Sequence, residues 1–225
     1  ELTAFTYGVS HDLKSPSRTA LQMVQEGLLS DNGNLTADQR EMFEGAIDTL
    51  QRMQCLISDL LDYGILVDQK PPEENVDLNT LVEEVLFDLR DRISETDAKV
   101  NASRLPIIRG YRSQLRMLMQ NFISNGIKYQ RDGTPPLVEI KSDKLRGDTV
   151  SIRFIDNGCG IPNDQFDKIF GVFPRLHRQD EVHGSGVGLA ICKRVAFNHE
   201  ATITVTSTLG EGSTFEVSFP KGRVR

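Results

Sequence analysis

Over the first third of the chain, apolar side chains recur at three- and four-residue steps, and that period dictates helix. Leu2, Phe5, Val9, Leu13, Leu21, Val24 and Leu28 fall on one helical face. Ser30-Asp31-Asn32-Gly33-Asn34 has turn composition, and Thr36 with Gln39 three residues on reads as a capping box that opens a second helix. Phe43, Ile47, Leu50, Met53 or Gln54, Ile57 and Leu61 mark its apolar side. Two helices joined by a short loop form an antiparallel hairpin, which by itself cannot hide both stripes. Pairing of two copies into a four-helix bundle, hence a homodimer, is the expected solution; packing on the chain's own later part is the alternative.

Lys70-Pro71-Pro72-Glu73-Glu74 breaks the helical run. The expected organisation is a helical hairpin at 1–69, a linker at 70–76 and a second domain at 77–225. Residues 77–93 and 112–129 have helical patterning, and 106–109 reads as a short strand. Residues 137–140, 149–155, 201–206 and 213–219 alternate or run apolar as strands. Helices and strands alternate without regular crossovers, so the economical architecture is an α/β sandwich, one mixed sheet covered on one face by helices.

Composition excludes several classes. The net charge of −6 sits wholly in the first 70 residues, which hold 11 acidic and 5 basic side chains against 21 of each in the rest. The helical front therefore offers no electropositive stripe for nucleic acid. Cys55, Cys159 and Cys192 fit neither a disulfide framework nor a zinc signature, and a reduced, cytoplasmic setting is expected. No apolar run is long enough to span a bilayer, so no membrane contact is expected of these residues. The chain begins without Met inside a helical pattern, as a portion of a longer protein would.

Three glycine clusters carry the chemistry. Asp156-Asn157-Gly158-Cys159-Gly160 follows a strand; an acid there can accept from an amino group while glycines let backbone approach a flat ring. By itself it is equally a strand-ending turn. Gly184-Ser185-Gly186-Val187-Gly188-Leu189 precedes a helical run and sets free backbone N–H groups where an anion could sit. No strand precedes it and no Lys-Ser or Lys-Thr pair follows, which excludes a Rossmann fingerprint and an ordinary P-loop. Gly210-Glu211-Gly212-Ser213-Thr214-Phe215 lies between two strands and alone reads as a hairpin turn. Asn121, Asn125 and Lys128 share one face of the preceding helix, suiting Mg2+ and phosphate or simply water. His11 and Asp12 stand in the first helix ahead of Pro16, which should bend it. An imidazole near neutrality can attack phosphorus, although adjacent helical residues do not normally face each other.

In this order the clusters resemble the sensor histidine kinase family. Phe5-Thr6-Tyr7-Gly8-Val9-Ser10-His11-Asp12-Leu13-Lys14-Ser15-Pro16 is similar to its phosphoacceptor box, and 120–129 to its asparagine box. Residues 156–160, 184–189 and 210–215 resemble its glycine boxes, and 169–176 its phenylalanine box. The Ser-His-Asp-Leu form resembles the subgroup containing phytochrome-like kinases. The resemblance implies a Bergerat-type ATP-binding fold behind the dimeric bundle, with ATP and Mg2+ as cofactors. It implies autophosphorylation of His11, with Asp12 as base on the neighbouring ring nitrogen, and transfer to a response-regulator receiver domain. A sensory domain would precede the chain.

Residue by residue, the resemblance implies that Asn125 ligates Mg2+ with Asn121 nearby, and that Lys128 neutralises phosphate, with Arg175 or Lys193 as further cations. Asp156 would accept the adenine amino hydrogen, Gly158 and Gly160 would give the ring space, and Tyr129 would lie close by. Gly184, Gly186 and Gly188, with Val187 and Leu189, would wrap the triphosphate under a lid at 171–186; Thr214 joins the nucleotide set. Two departures stand out. Ser15 occupies a position where many relatives carry Thr or Asn, a position linked to phosphatase activity. Gly126 stands where Ala is common, and should loosen the helix by about 0.5–1 kcal/mol. The rival readings are a degenerate dimeric scaffold, a nucleotide-gated ATPase clamp or an anti-sigma-type serine kinase; the last two lack the His-Asp-x-x-Ser-Pro helix.

Overall fold

The computed structural model describes residues 2–30, 35–68, 71–146, 149–171 and 186–224. The chain divides into two compact units, one built on two long helices and the other holding every described strand.

In the helical unit, α1 (Leu2–Leu29) and α2 (Ala37–Asp68) pack along each other. The capping box expected at Thr36 is formed: the Thr36 N–H donates to Gln39 Oε1 at 2.9 Å, and the Gln39 N–H donates to Thr36 Oγ1 at 3.3 Å. Two otherwise unpaired N–H groups are thereby satisfied where α2 begins. Helix α1 continues through Pro16. Just beyond it, Ser17 Oγ donates to the Lys14 carbonyl and Thr19 Oγ1 to the Ser15 carbonyl.

In the second unit, β1 (Glu74–Asp77) pairs antiparallel with β3 (Ile107–Gly110) as a separate two-stranded sheet. The residues expected as linker thus become strand from Glu74 onward. Asp77 caps α3 (Leu78–Asp88) by accepting the Asn79 N–H at 2.9 Å. Residues 77–93, expected as one helix, are two: α3 stops at Leu89 and α4 (Arg90–Glu95) follows. Then come β2 (Lys99–Ala102), α5 (Arg112–Lys128), β4 (Leu137–Arg146), β5 (Thr149–Asp156), α6 (Gly188–Asn198), β6 (Thr202–Thr208) and β7 (Gly212–Pro220). The five-stranded sheet runs β2-β4-β5-β7-β6; β2 and β4 are parallel and the other pairs antiparallel.

This is the expected mixed sheet with helices on one face. Val150, Ile152 and Phe154 of β5 and Phe215, Val217 and Phe219 of β7 are buried, as are Leu115, Leu118, Phe122 and Ile123 of α5. Phe122 stacks on Phe154 at 4.6 Å between ring centroids and lies 5.1 Å from Phe215. Burying such a side chain contributes about 2–3 kcal/mol. Alternate residues form a polar outer face, where Arg153 pairs with Asp143 at 2.7 Å and Ser151 Oγ meets Ser218 Oγ at 2.8 Å. The five-stranded sheet thereby fixes Asp156, at the end of β5, beside the start of β7.

Candidate functional site

Helix α5 carries Asn121, Asn125 and Lys128 at its C-terminal half. Asn121 Nδ2 donates to the Met117 carbonyl at 2.8 Å, and its Oδ1 lies against Gly188, closer than any Cβ would tolerate. Glycine at 188 is therefore what lets α6 start directly beside the α5 asparagine. The Asn125 carbonyl accepts the Tyr129 N–H at 3.0 Å and closes the helix. Lys128 Nζ donates to the Tyr129 hydroxyl at 3.1 Å and lies 4.6 Å from its ring centroid, so Tyr129 holds the ammonium by a hydrogen bond and by its π-face.

Facing the C-terminal end of α5 is the carboxylate of Asp156. Its Oδ1 accepts two backbone N–H groups, from Gly158 at 2.9 Å and from Ser213 at 3.1 Å. Burial pushes this carboxyl above the ordinary aspartate range, and the two N–H groups pull the other way. One oxygen of Asp156 is thus committed to the chain.

The glycines around it serve close approach, but to the chain itself. A Cβ on Gly158 would strike the Tyr129 carbonyl, and one on Gly160, at φ +73°, would strike the Thr208 carbonyl. The Cβ position of each is taken by backbone, so glycine at both lets the loop dock against Tyr129 and Thr208. The docking is completed by Cys159 N–H to the Tyr129 carbonyl at 2.9 Å and Gly210 N–H to the Cys159 carbonyl at 2.7 Å.

Thr214 needs correction. Phe215 points at Phe122 in the core, so by strand alternation Thr214 points to the polar outer face, away from the helices. The residue at Asp156 is Ser213, buried, with its hydroxyl 3.1 Å from Ser207 Oγ. Ser207 in turn accepts the Ile161 N–H at 2.8 Å and donates to the Gly212 carbonyl at 2.7 Å. Two adjacent hydroxyls in Ser213-Thr214 left the choice to the register of β7, which residue types do not reveal.

Gly186 is exposed at φ +73°, Val187 is buried, and Gly188 and Leu189 open α6. Lys193 is exposed on α6. Arg175, Gly184 and most of the expected lid at 171–186 lie outside the described residues. The amide oxygens of Asn121 and Asn125 are hard donors of the kind Mg2+ takes beside phosphate and water, so the residues present fit that ion. Among the described residues, no group of three or more His, Cys, Asp or Glu could hold a metal.

His11, Asp12 and Ser15 belong to α1 of the helical unit; the side chains of His11 and Asp12 lie outside the described residues. Ser15 is exposed. Lys14 follows His11 by three residues, and its charge lowers the carboxyl of Asp62 on α2 while burial and Asp59 raise it, with a net upward shift. Among the described residues no helix is long and apolar enough to cross a membrane.

Comparison with known proteins matches both units. Residues 1–66 match the family described as His Kinase A (phospho-acceptor) domain, and residues 110–223 match the Histidine kinase-, DNA gyrase B-, and HSP90-like ATPase family. Cyanobacterial phytochrome A of a Nostoc species is 37% identical over 223 residues, 99% of this chain and 29% of that protein. The adaptive-response sensory kinase SasA of Synechococcus elongatus is 30% identical over 227 residues, 94% of this chain and 57% of the relative. The chain thus spans 29% of the length of the phytochromes it matches. Full-length ShkA in complex with AMPPNP superposes with a TM-score of 0.69 at 25% identity, covering 96% of this chain and 45% of that one. Histidine kinase ThkA in complex with the response regulator TrrA shares the fold, with a TM-score of 0.62 at 17% identity, covering 95% of this chain and 61% of that one.

Proposed function

The chain belongs to the sensor histidine kinase family, and from that premise we propose that it moves the γ-phosphoryl group of ATP to His11 and then to an aspartate of a response-regulator receiver domain. The observation that carries the proposal is the Asp156 carboxylate, held through one oxygen by Gly158 and Ser213 and leaving the other for an amino group, in the same unit as the asparagine face of α5.

In this reading Asp156 Oδ2 accepts the exocyclic amine of adenine, and the phosphates lie toward the start of α6, where backbone N–H groups and the helix dipole favour anions. Lys128 leaves Tyr129 to meet phosphate charge. Asn125, with Asn121, would hold Mg2+, which when bound supplies charge neutralisation on the phosphates. Gly184 and Gly186 would contribute backbone N–H groups, and Arg175 a cation, to phosphate binding. The His11 ring attacks with its free nitrogen lone pair; the N–P bond forms as the bond from γ-phosphorus to the bridging oxygen breaks, and ADP leaves. Asp12 holds the other ring N–H and so fixes the tautomer. The apolar side chains Leu13, Met23, Met42, Met53 and Ile65 are exposed on the single hairpin, which supports a homodimer. Ser15, one helical turn after His11, would orient water for receiver dephosphorylation.

Incubation with γ-labelled ATP tests the reading. Acid-labile, base-stable label that is lost in His11→Gln and discharged by a receiver domain is expected. Label that survives acid, or label retained in His11→Gln, would overturn it.

A further inference from the structure

The guanidinium of Arg131 reaches two loops that lie far apart in sequence. Its Nε–H donates to the Asn157 carbonyl at 2.9 Å, and Nη1–H donates to the Gly210 carbonyl at 2.8 Å. The first carbonyl belongs to the loop after Asp156 and the second to the turn between β6 and β7. A planar fork of donors on a fixed plane suits this task, because the two carbonyls are held at a set spacing by one rigid group.

The surroundings show what that spacing controls. Asn157 is already tied to the start of β4: its Oδ1 accepts the Leu137 N–H at 2.8 Å and its Nδ2 donates to the Pro135 carbonyl at 3.1 Å. Arg131 stands in that same connection between α5 and β4. On the other side, the turn touches the loop through Gly210 N–H to the Cys159 carbonyl and through the contact of Gly160 with the Thr208 carbonyl. The turn also leads into Gly212 and Ser213, and the Ser213 N–H is one of the two groups holding Asp156 Oδ1. Loop, turn and carboxylate are one assembly; Ser207 Oγ ties its inner side, from the Ile161 N–H to the Gly212 carbonyl, and Arg131 bridges the two backbone arms at Asn157 and Gly210.

We infer that Arg131 is a positioning residue for the base-binding end of the site, and that by holding the 157–160 loop against the 209–212 turn it sets selectivity for adenine over guanine. The inference rests on the nucleotide reading of Asp156 given above. Adenine presents an amino group to a carboxylate, whereas guanine presents a carbonyl oxygen that the carboxylate repels. That discrimination is large only while the carboxylate stays in place; a site with freedom to shift can turn Asp156 aside and tolerate the wrong base. Arg131 touches no ligand in this scheme. It acts through the backbone that carries Asp156.

Titration calorimetry with ADP and GDP on the purified chain tests this without requiring turnover, in wild type, Arg131→Gln and Arg131→Lys. Arg131→Gln should weaken ADP binding by roughly tenfold, the value of one charge-assisted hydrogen bond, and narrow the ADP-to-GDP ratio. Arg131→Lys, which retains a cationic donor, should recover part of both. Labelling of His11 at saturating ATP should be unchanged, so the effect falls on KM and not on kcat. Arg112→Gln provides the comparison: it removes the Arg112–Glu84 ion pair at the opposite end of α5. An Arg131→Gln protein that melts lower but keeps the wild-type ADP-to-GDP ratio would reduce Arg131 to a structural contact and overturn the inference. Wild type that binds no ADP would instead overturn the nucleotide reading itself, whereas wild type that binds with both variants equal to it would overturn the role of Arg131 alone.

Discussion

The Nε2 of His199 accepts the backbone N–H of Tyr111 at 3.0 Å, across 88 positions of sequence. Tyr111 can only donate, so Nε2 is bare, Nδ1 bears the hydrogen, and the 2.8 Å contact with the Val195 carbonyl is a donation from it. This one neutral ring, fully buried just after α6, fastens that end of the helix to the residue that opens α5. Asn121 on α5 and Gly188 at the start of α6 are set side by side by the same pair of helices.

Protonation of His199 would put two N–H groups face to face at Tyr111. Burial lowers its pKa below the ordinary histidine value, Arg223 lowers it further, and the Val195 hydrogen bond and Glu73 oppose this. The unfolded chain therefore binds the proton first, so stability from this group is complete above about pH 6.5 and declines as pH falls from there through the depressed folded value. His199→Phe should cost about 1–3 kcal/mol at pH 7.5 by leaving the Tyr111 N–H without a partner, and should flatten the loss between pH 6.5 and 5. Thermal melts across that range check it; equal slopes in wild type and variant would count against the neutral-ring account.

For Asp156 the sign is reversed. Its folded pKa is raised, so the stability it contributes is complete below about pH 3.8 and is lost as pH rises through the folded value. Asp156→Asn removes the buried charge and keeps an oxygen for the Gly158 and Ser213 N–H groups. The ligand-free variant is expected to melt no lower than wild type at pH 7.5, and ADP should no longer raise its melting temperature. A variant still stabilised by ADP as wild type is would remove Asp156 from the base site.

The outer-face position of Thr214 predicts indifference. Thr214→Val should change ADP affinity by less than about twofold, whereas Ser213→Ala should cost about 1 kcal/mol of stability through its hydroxyl contact with Ser207. A tenfold loss of ADP binding in Thr214→Val would reverse the assignment of the two faces.

These residues also show what could be read before any fold was known. The helical hairpin was legible because its signals are local: a 3.6-residue period and a Thr-Gln capping box; the turn expected at 30–34 lies almost wholly outside the described residues. The glycine boxes were legible as spacing. Pairing was not, since the partner of Glu74–Asp77 is a strand that starts at Ile107 and nothing in either segment announces the other. The break at Leu89 hid inside an apolar pattern that continues through Ile93. Face parity escaped as well, because Ser213 and Thr214 differ by one position and only the register of β7 against β5 decides which one meets Asp156. Arg131 stands in no motif, and only the carbonyls it reaches give it a role.

Gly126 is the position where local and tertiary physics disagree most sharply. Helix propensity alone says alanine there should stabilise α5 by about 1 kcal/mol. In the structure a Cβ at 126 would stand 2.6 Å from Val138 Cγ2 on β4 and 3.3 Å from Asp156 Cβ. Glycine is therefore what allows α5 to lie this close to the sheet, and overpacking by a methyl group costs about 1–3 kcal/mol in a buried site. Gly126→Ala is expected to destabilise by about 1–2 kcal/mol net, and to weaken ADP binding by displacing Asp156. Val138→Ala removes the obstructing methyls at a cost on the order of 2 kcal/mol. In the double variant the new methyl partly fills that space, so its total cost should fall short of the sum of the two single costs by at least about 1 kcal/mol. Urea unfolding of the four proteins measures the coupling. Strict additivity would mean that α5 simply moves away from the sheet, and that the glycine is not there for Val138.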